Sequence, residues 1–166
     1  MTIVVGLTGG IASGKSFVAE YLKNLNFPVH DSDEVVQGLY ENPKPSLLNF
    51  LNKNGLEKTI KNQTIDKKKI SEEIFNKPMK KKIIEKYIHN EVRKSREIFL
   101  KKNKKKNLVF LDIPLLFENK LEKICQFVCV TISSLDIRRK RALMRPQMNK
   151  SLFLKISKNQ TSDKIR

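Results

Sequence analysis

Residues 9–16 read Gly-Gly-Ile-Ala-Ser-Gly-Lys-Ser, a full match to the G-x-x-x-x-G-K-[ST] phosphate-loop pattern. The segment follows the apolar run Ile3-Val4-Val5-Gly6-Leu7 and precedes the helix-forming Phe17-Val18-Ala19-Glu20-Tyr21-Leu22. A glycine-rich turn between a buried strand and a helix commits the chain to an α/β fold, because only there does the turn aim several backbone N–H groups at one anion. Gly9 and Gly14 allow the tight turn, and Gly10, Ile11, Ala12, Ser13, Gly14, Lys15, Ser16 and Phe17 form the expected phosphate cradle. Lys15 would reach the β and γ phosphates, and the Ser16 hydroxyl would ligate Mg²⁺, a hard cation that takes oxygen ligands. A nucleoside triphosphate, ATP by default, is the expected ligand.

The chain has 166 residues, room for one core with any further unit inserted into it. No run approaches the ~20 apolar residues that span a bilayer, and no targeting segment is seen, so a cytoplasmic protein without a membrane partner is expected. Cys125 and Cys129 lie four apart in an apolar segment with no His nearby, which suggests buried packing residues rather than a metal or disulfide site. The net charge is +17, but 27 of the 34 basic residues are Lys. Base readout and bidentate phosphate contacts favour Arg, so the charge is read as a solvated lysine-rich surface and no nucleic-acid partner is expected. The same field would favour a polyanionic small substrate.

Along the chain, Ile3–Leu7 reads as a first strand and residues 14–25 as a helix. Phe27–His30 reads as a second strand that ends in Asp31-Ser32-Asp33. From there to about Lys106 only helices are expected: one capped by Ser46 and ended by Gly55, one capped by Asp66, and a long one opened by Pro78. Strands resume at Leu108–Asp112 and at Phe127–Ile132, followed by a helix from Leu135 to Arg145 capped by Ser133 or Ser134, and an amphipathic stretch from Asn149 to Gln160. The expected architecture is a parallel sheet with helices on both faces and a helical insertion, the P-loop nucleoside triphosphate hydrolase fold. Its expected parts are an α/β core (1–34 and 107–133), a helical insertion (35–106), an arginine-rich segment (134–148) and a C-terminal helix (149–166).

Ligands of parallel sheets sit at the carboxyl ends of the strands, and three acids fall there: Asp31, Asp33 and Asp112. Asp112 has the form of a Walker B acid that holds Mg²⁺ directly or through water. Asp33 or Asp31 could take the proton of an attacking hydroxyl. Arg141 and Arg145, four apart, would share one side of a helix and close over transferring phosphates.

Together these residues resemble the dephospho-coenzyme A kinase family. The matching pieces are Val5–Ser16, Asp31-Ser32-Asp33, Ile74-Phe75 with Pro78, Ile88-His89, Asp112-Ile113-Pro114-Leu115-Leu116-Phe117-Glu118, Arg141 with Arg145, and Gln160. They run in family order over essentially the whole chain. The resemblance implies ATP-dependent phosphorylation of the ribose 3′-hydroxyl of dephospho-coenzyme A, the last step of coenzyme A synthesis. It also implies a nucleotide core at 1–34 and 107–133, a helical substrate unit at 35–106 and an arginine-bearing lid at 134–148. Asp33 is expected as the proton acceptor, with Lys15 and Arg141 as catalytic partners and Asp112, with Asp31 as a second candidate, on the metal side. Another small-molecule P-loop kinase and a nucleic-acid-binding ATPase are the competing readings. Two departures carry expectations: Ala12, where the family usually has Gly, should sit at ordinary φ, and Phe17 should pack. The family also continues beyond the Gln160 helix with a further strand and an Ala-Asp…Ile…Asn segment. From the four strands read here, weak ATP binding and a tendency to aggregate are expected.

Overall fold

A computed structural model describes residues 2–75, 77–162 and 165. It divides into two compact units, Met1–Asp31 with Phe99–Arg166 and Ser32–Ile98.

The first unit is built on a four-stranded sheet in the order β2-β5-β1-β6, formed by β1 (Ile3–Gly9), β2 (Val29–Asp31), β5 (Leu108–Asp112) and β6 (Phe127–Thr131). Every pairing is parallel. Val4, Val109, Leu111, Ile113 and Leu116 form its central cluster, and the β-branched, near-continuous apolar strands are what a sheet covered on both faces requires. Helix α1 (Lys15–Asn24) follows β1 directly, as the strand–loop–helix reading demands. α6 (Leu135–Leu143) is capped by Ser134, whose hydroxyl accepts from the Ile137 N–H, and α7 (Lys150–Asn159) by Asn149, which accepts from Leu152. Strand β6 lies at an edge, with Phe127 and Cys129 exposed, so the expected burial of Cys129 does not hold and Cys125 is only half-buried.

The second unit is helical: α2 (Ser32–Glu41), α3 (Pro45–Lys53), α4 (Lys67–Ile74) and the body of α5 (Pro78–Lys102). Its core is Leu47, Leu51, Leu56, Ile65, Ile70, Ile84 and Ile88. Asp66 caps α4 by accepting from the N–H groups of Lys68 and Lys69, as expected. Ser46 does not cap α3; the helix opens with Pro45 at its first position, where the missing N–H costs nothing. The unit is not helices alone. Ile60–Lys61 (β3) pairs antiparallel with Thr64–Ile65 (β4) around Asn62 and Gln63, at φ 48° and 59°. That is the two-residue turn with both central residues left-handed, and without a glycine it leaves little trace in sequence. The division between units falls inside α5, because Phe99 and Leu100 pack against the Val109 cluster while Ile84 and Ile88 belong to the helical core.

Candidate active site

Parallel registration puts Leu7 beside Asp112, Asp31 beside Asp112, and Gly9 beside Thr131, so the carboxyl ends of all four strands meet at the start of the glycine-rich loop. Hydrogen bonds fix this edge: Ile113 N–H donates to the Leu7 carbonyl (3.0 Å) and the Thr8 hydroxyl to the Pro114 carbonyl (3.2 Å). Asp112 is only 1% exposed, and Lys15 Nζ forms an ion pair with its Oδ1. A buried carboxylate is tolerated only with such compensation, so Lys15 and Asp112 hold each other beside the loop.

The loop itself is pinned from β6. The Ser13 and Thr131 hydroxyls share a 2.7 Å hydrogen bond, Thr131 Oγ1 also donates to the Thr8 carbonyl (3.2 Å), and Ser133 Oγ donates to the Ser13 carbonyl (3.1 Å). Gly14 stands at φ 107°, open to glycine alone without strain. The first intrahelical bond of α1 runs from Val18 N–H to the Gly14 carbonyl (3.2 Å), so the N–H groups of Lys15, Ser16 and Phe17 precede the helical ladder. At the positive end of the helix dipole, these three N–H groups have the arrangement that suits an anion. The other end of the expected cradle is engaged elsewhere: Ser13 N–H donates to the Gly10 carbonyl (3.0 Å) and Ile11 N–H to Gln160 Oε1 (2.8 Å).

Two expectations about the loop fail. Ala12 adopts φ 59°, a left-handed conformation costing an L-residue roughly 1–2 kcal/mol. Its methyl group is buried against Ala142 and Phe153, which offsets that cost and accounts for alanine where glycine would be conformationally easier. Phe17 does not pack; it is 76% exposed, on the same side of α1 as exposed Tyr21 one turn on. What it can offer an anion is its backbone N–H.

Arg141 lies on α6, and the position a Cβ would take on Gly14 is 3.8 Å from its Nη1. The guanidinium therefore stands over the loop, 3.4 Å from Ser133 Oγ. Arg145 is not on the same helical face, because α6 ends at Leu143 and Arg145 N–H closes a turn onto the Ala142 carbonyl (3.0 Å) ahead of Pro146. Asp31 ends β2 in the core unit, whereas Asp33 belongs to the helical unit, in the first turn of α2. Sequence reasoning gives Thr131 no role and Ser133 only that of a candidate helix cap; their place at and just past the end of β6 is the signal that could have found them. Nothing in the residue pattern marked Arg138 or the partner of Gln160.

This strand–loop–helix edge, with a lysine, a buried acid and an arginine around one anion seat, is shared by many phosphoryl-transfer proteins. The sequence profile that matches residues 3–166 is that of dephospho-CoA kinase. The chain belongs to the dephospho-CoA kinase family. The dephospho-CoA kinase of Fusobacterium nucleatum is 35% identical over 164 residues, covering 99% of this chain and 84% of that protein. That of Bartonella quintana is 35% identical, covering 96% and 82%. Among solved structures, TT1252 from Thermus thermophilus superposes with a TM-score of 0.81 at 28% identity, over 99% of this chain and 83% of that one. The dephospho-CoA kinase from Campylobacter jejuni shares the fold, with a TM-score of 0.60 at 20% identity over 95% and 98% of the two chains. As a dephospho-CoA kinase, the chain is a phosphotransferase of the final step of coenzyme A biosynthesis. Among the described residues, no helix is long and apolar enough to cross a membrane.

Proposed function

We propose that the chain moves the γ-phosphoryl group of ATP to the ribose 3′-hydroxyl of dephospho-coenzyme A, with the loop at residues 9–17 as the ATP site. The observation that carries this reading is the clustering of Lys15, Asp112 and Arg141 around the N-terminus of α1. The acceptor oxygen forms its bond to Pγ as the bond from Pγ to the bridging oxygen of ADP breaks, and the hydroxyl proton passes to Asp33. Lys15 and Arg141 neutralise charge on the γ oxygens, which is most of what this reaction asks of a protein. The donor set fits Mg²⁺: the Ser16 hydroxyl and the Asp112 carboxylate, with Asp31 one strand over, supply hard oxygen ligands. When bound, the ion would neutralise the β and γ phosphate oxygens.

The helical unit is proposed to hold the acceptor. A groove of about 720 Å³ lies there, lined by Phe50 of α3 and by Lys86, Tyr87, His89 and Arg93 of α5. Phe50 and Tyr87 stack with centroids 4.3 Å apart. The neighbouring acids are turned to other lysines, Glu85 to Lys81 (3.8 Å) and Glu91 to Lys94 (2.7 Å), which leaves Lys86 and Arg93 to set the charge of the rim. An anionic diphosphate joined to a flexible arm suits such a groove. Arg93→Ala is expected to raise the KM for dephospho-coenzyme A roughly tenfold, the loss of one charge-assisted contact, with kcat nearly unchanged. Steady-state kinetics at saturating ATP check this, and an unchanged KM removes the groove from the acceptor site. Formation of coenzyme A carrying the new phosphate on the ribose 3′ oxygen, read by phosphorus NMR, tests the reaction itself; phosphate at any other position refutes it.

A further inference from the structure

One residue of the phosphate loop, Ile11, is held through both of its backbone polar groups by side chains that the transfer chemistry does not use. Ile11 N–H donates to Gln160 Oε1 (2.8 Å), at the end of α7, and the Ile11 carbonyl accepts from Arg138 Nε (3.0 Å), on α6. The partners are 149 and 127 residues away in the chain. Arg138 is 6% exposed and its guanidinium lies flat on Gly10, where a Cβ would come within 2.4 Å of Nη2. Such a seat exists only because residue 10 has no side chain. Gln160 is itself seated: the next residue, Thr161, donates its N–H to Glu118 Oε1 (2.6 Å), the last residue of the Pro114–Glu118 segment. Two sequence features without a chemical role, Glu118 and Gln160, thereby become one chain of contacts that ends on the loop.

The second of the two peptides so held leads into Ala12, the left-handed residue at φ 59°. Without its hydrogen bonds the Ile11–Ala12 segment would relax toward ordinary φ, rotating the peptides that feed into Gly14 and the anion seat. We propose that Gln160 and Arg138 are positioning residues for ATP: they clamp the two peptides that flank Ile11 so that the loop is already in its phosphate-binding shape before nucleotide arrives. Preorganisation of this kind raises affinity by removing an ordering cost from the binding step. The inference rests on the loop being the ATP site. It predicts that nucleotide affinity, rather than acceptor affinity or the chemical step at saturation, depends on residues 138 and 160.

The test uses the full chain and calorimetric titration with ATP and, separately, with dephospho-coenzyme A. Gln160→Ala is expected to raise the Kd for ATP about tenfold, the loss of one part-buried hydrogen bond that shapes the loop, while the Kd for dephospho-coenzyme A stays within about twofold. Gln160→Glu keeps an accepting oxygen at the same reach and should recover most of the loss. Hydrogen exchange at the Ile11 amide should quicken in Gln160→Ala and stay slow in Gln160→Glu. An unchanged ATP Kd, or equal weakening of both ligands, overturns the proposal. If Gln160→Ala does not fold, Arg138→Lys, which keeps the charge but lacks Nε–H, carries the same two criteria. Lys15→Ala runs beside these variants. ATP affinity indifferent to Lys15 refutes the loop as the ATP site, whereas affinity that depends on Lys15 but on neither Gln160 nor Arg138 refutes the clamp alone.

Discussion

Lys15→Ala is expected to lower kcat by a hundredfold or more, because it removes a preorganised cation from the γ-phosphoryl group. Loss of one such group costs roughly 3–4 kcal/mol of transition-state stabilisation. The structure adds a consequence: Lys15 is the ion-pair partner of Asp112, a carboxylate 1% exposed, so the variant should also be less stable. Stripping a partner from a buried charge typically costs up to about 3–5 kcal/mol, less here in proportion to other contacts of Asp112. The double variant Lys15→Ala/Asp112→Asn separates the two effects. Neutralising the acid should restore much of the melting temperature and none of the turnover. Native turnover in either variant would remove the loop from the chemistry.

Asp33→Asn should have the next largest effect, lowering kcat by about a hundred- to ten-thousandfold with the KM for dephospho-coenzyme A nearly unchanged. An amide keeps the shape and the hydrogen bonding of the acid but cannot accept the 3′-hydroxyl proton. If the variant instead loses affinity and turns over normally at saturation, Asp33 anchors the acceptor and Asp31, at the end of β2, becomes the candidate base.

The features legible in the residues are those whose chemistry is local. A strand, a glycine-rich turn and a helix in immediate succession left one fold for residues 3–24, and the apolar runs read at Leu108–Asp112 and Phe127–Ile132 are the two strands that flank β1. What escaped depends on distant neighbours. The φ of Ala12 is set by Ala142 and Phe153 around its methyl group and by the hold on Ile11 next to it, none of which is near in sequence. The Asn62-Gln63 turn lacked the glycine that announces a left-handed pair. Arg145 fell beyond its helix because α6 closes two residues earlier in a turn leading to Pro146, so spacing alone overstated its kinship with Arg141. Exposure misled in the same way at Phe17 and Cys129, apolar residues on a helix face and an edge strand that the described chain leaves uncovered.

The central claim, phosphoryl transfer from the loop-bound nucleotide to dephospho-coenzyme A, is tested most directly by following the γ phosphate itself. Purified chain is incubated with Mg²⁺, dephospho-coenzyme A and ATP labelled in the γ position, and the label in coenzyme A is compared with the ADP formed. One labelled phosphate in coenzyme A for each ADP is the predicted result. ADP formed with the label released as inorganic phosphate, whether or not dephospho-coenzyme A is present, would contradict it.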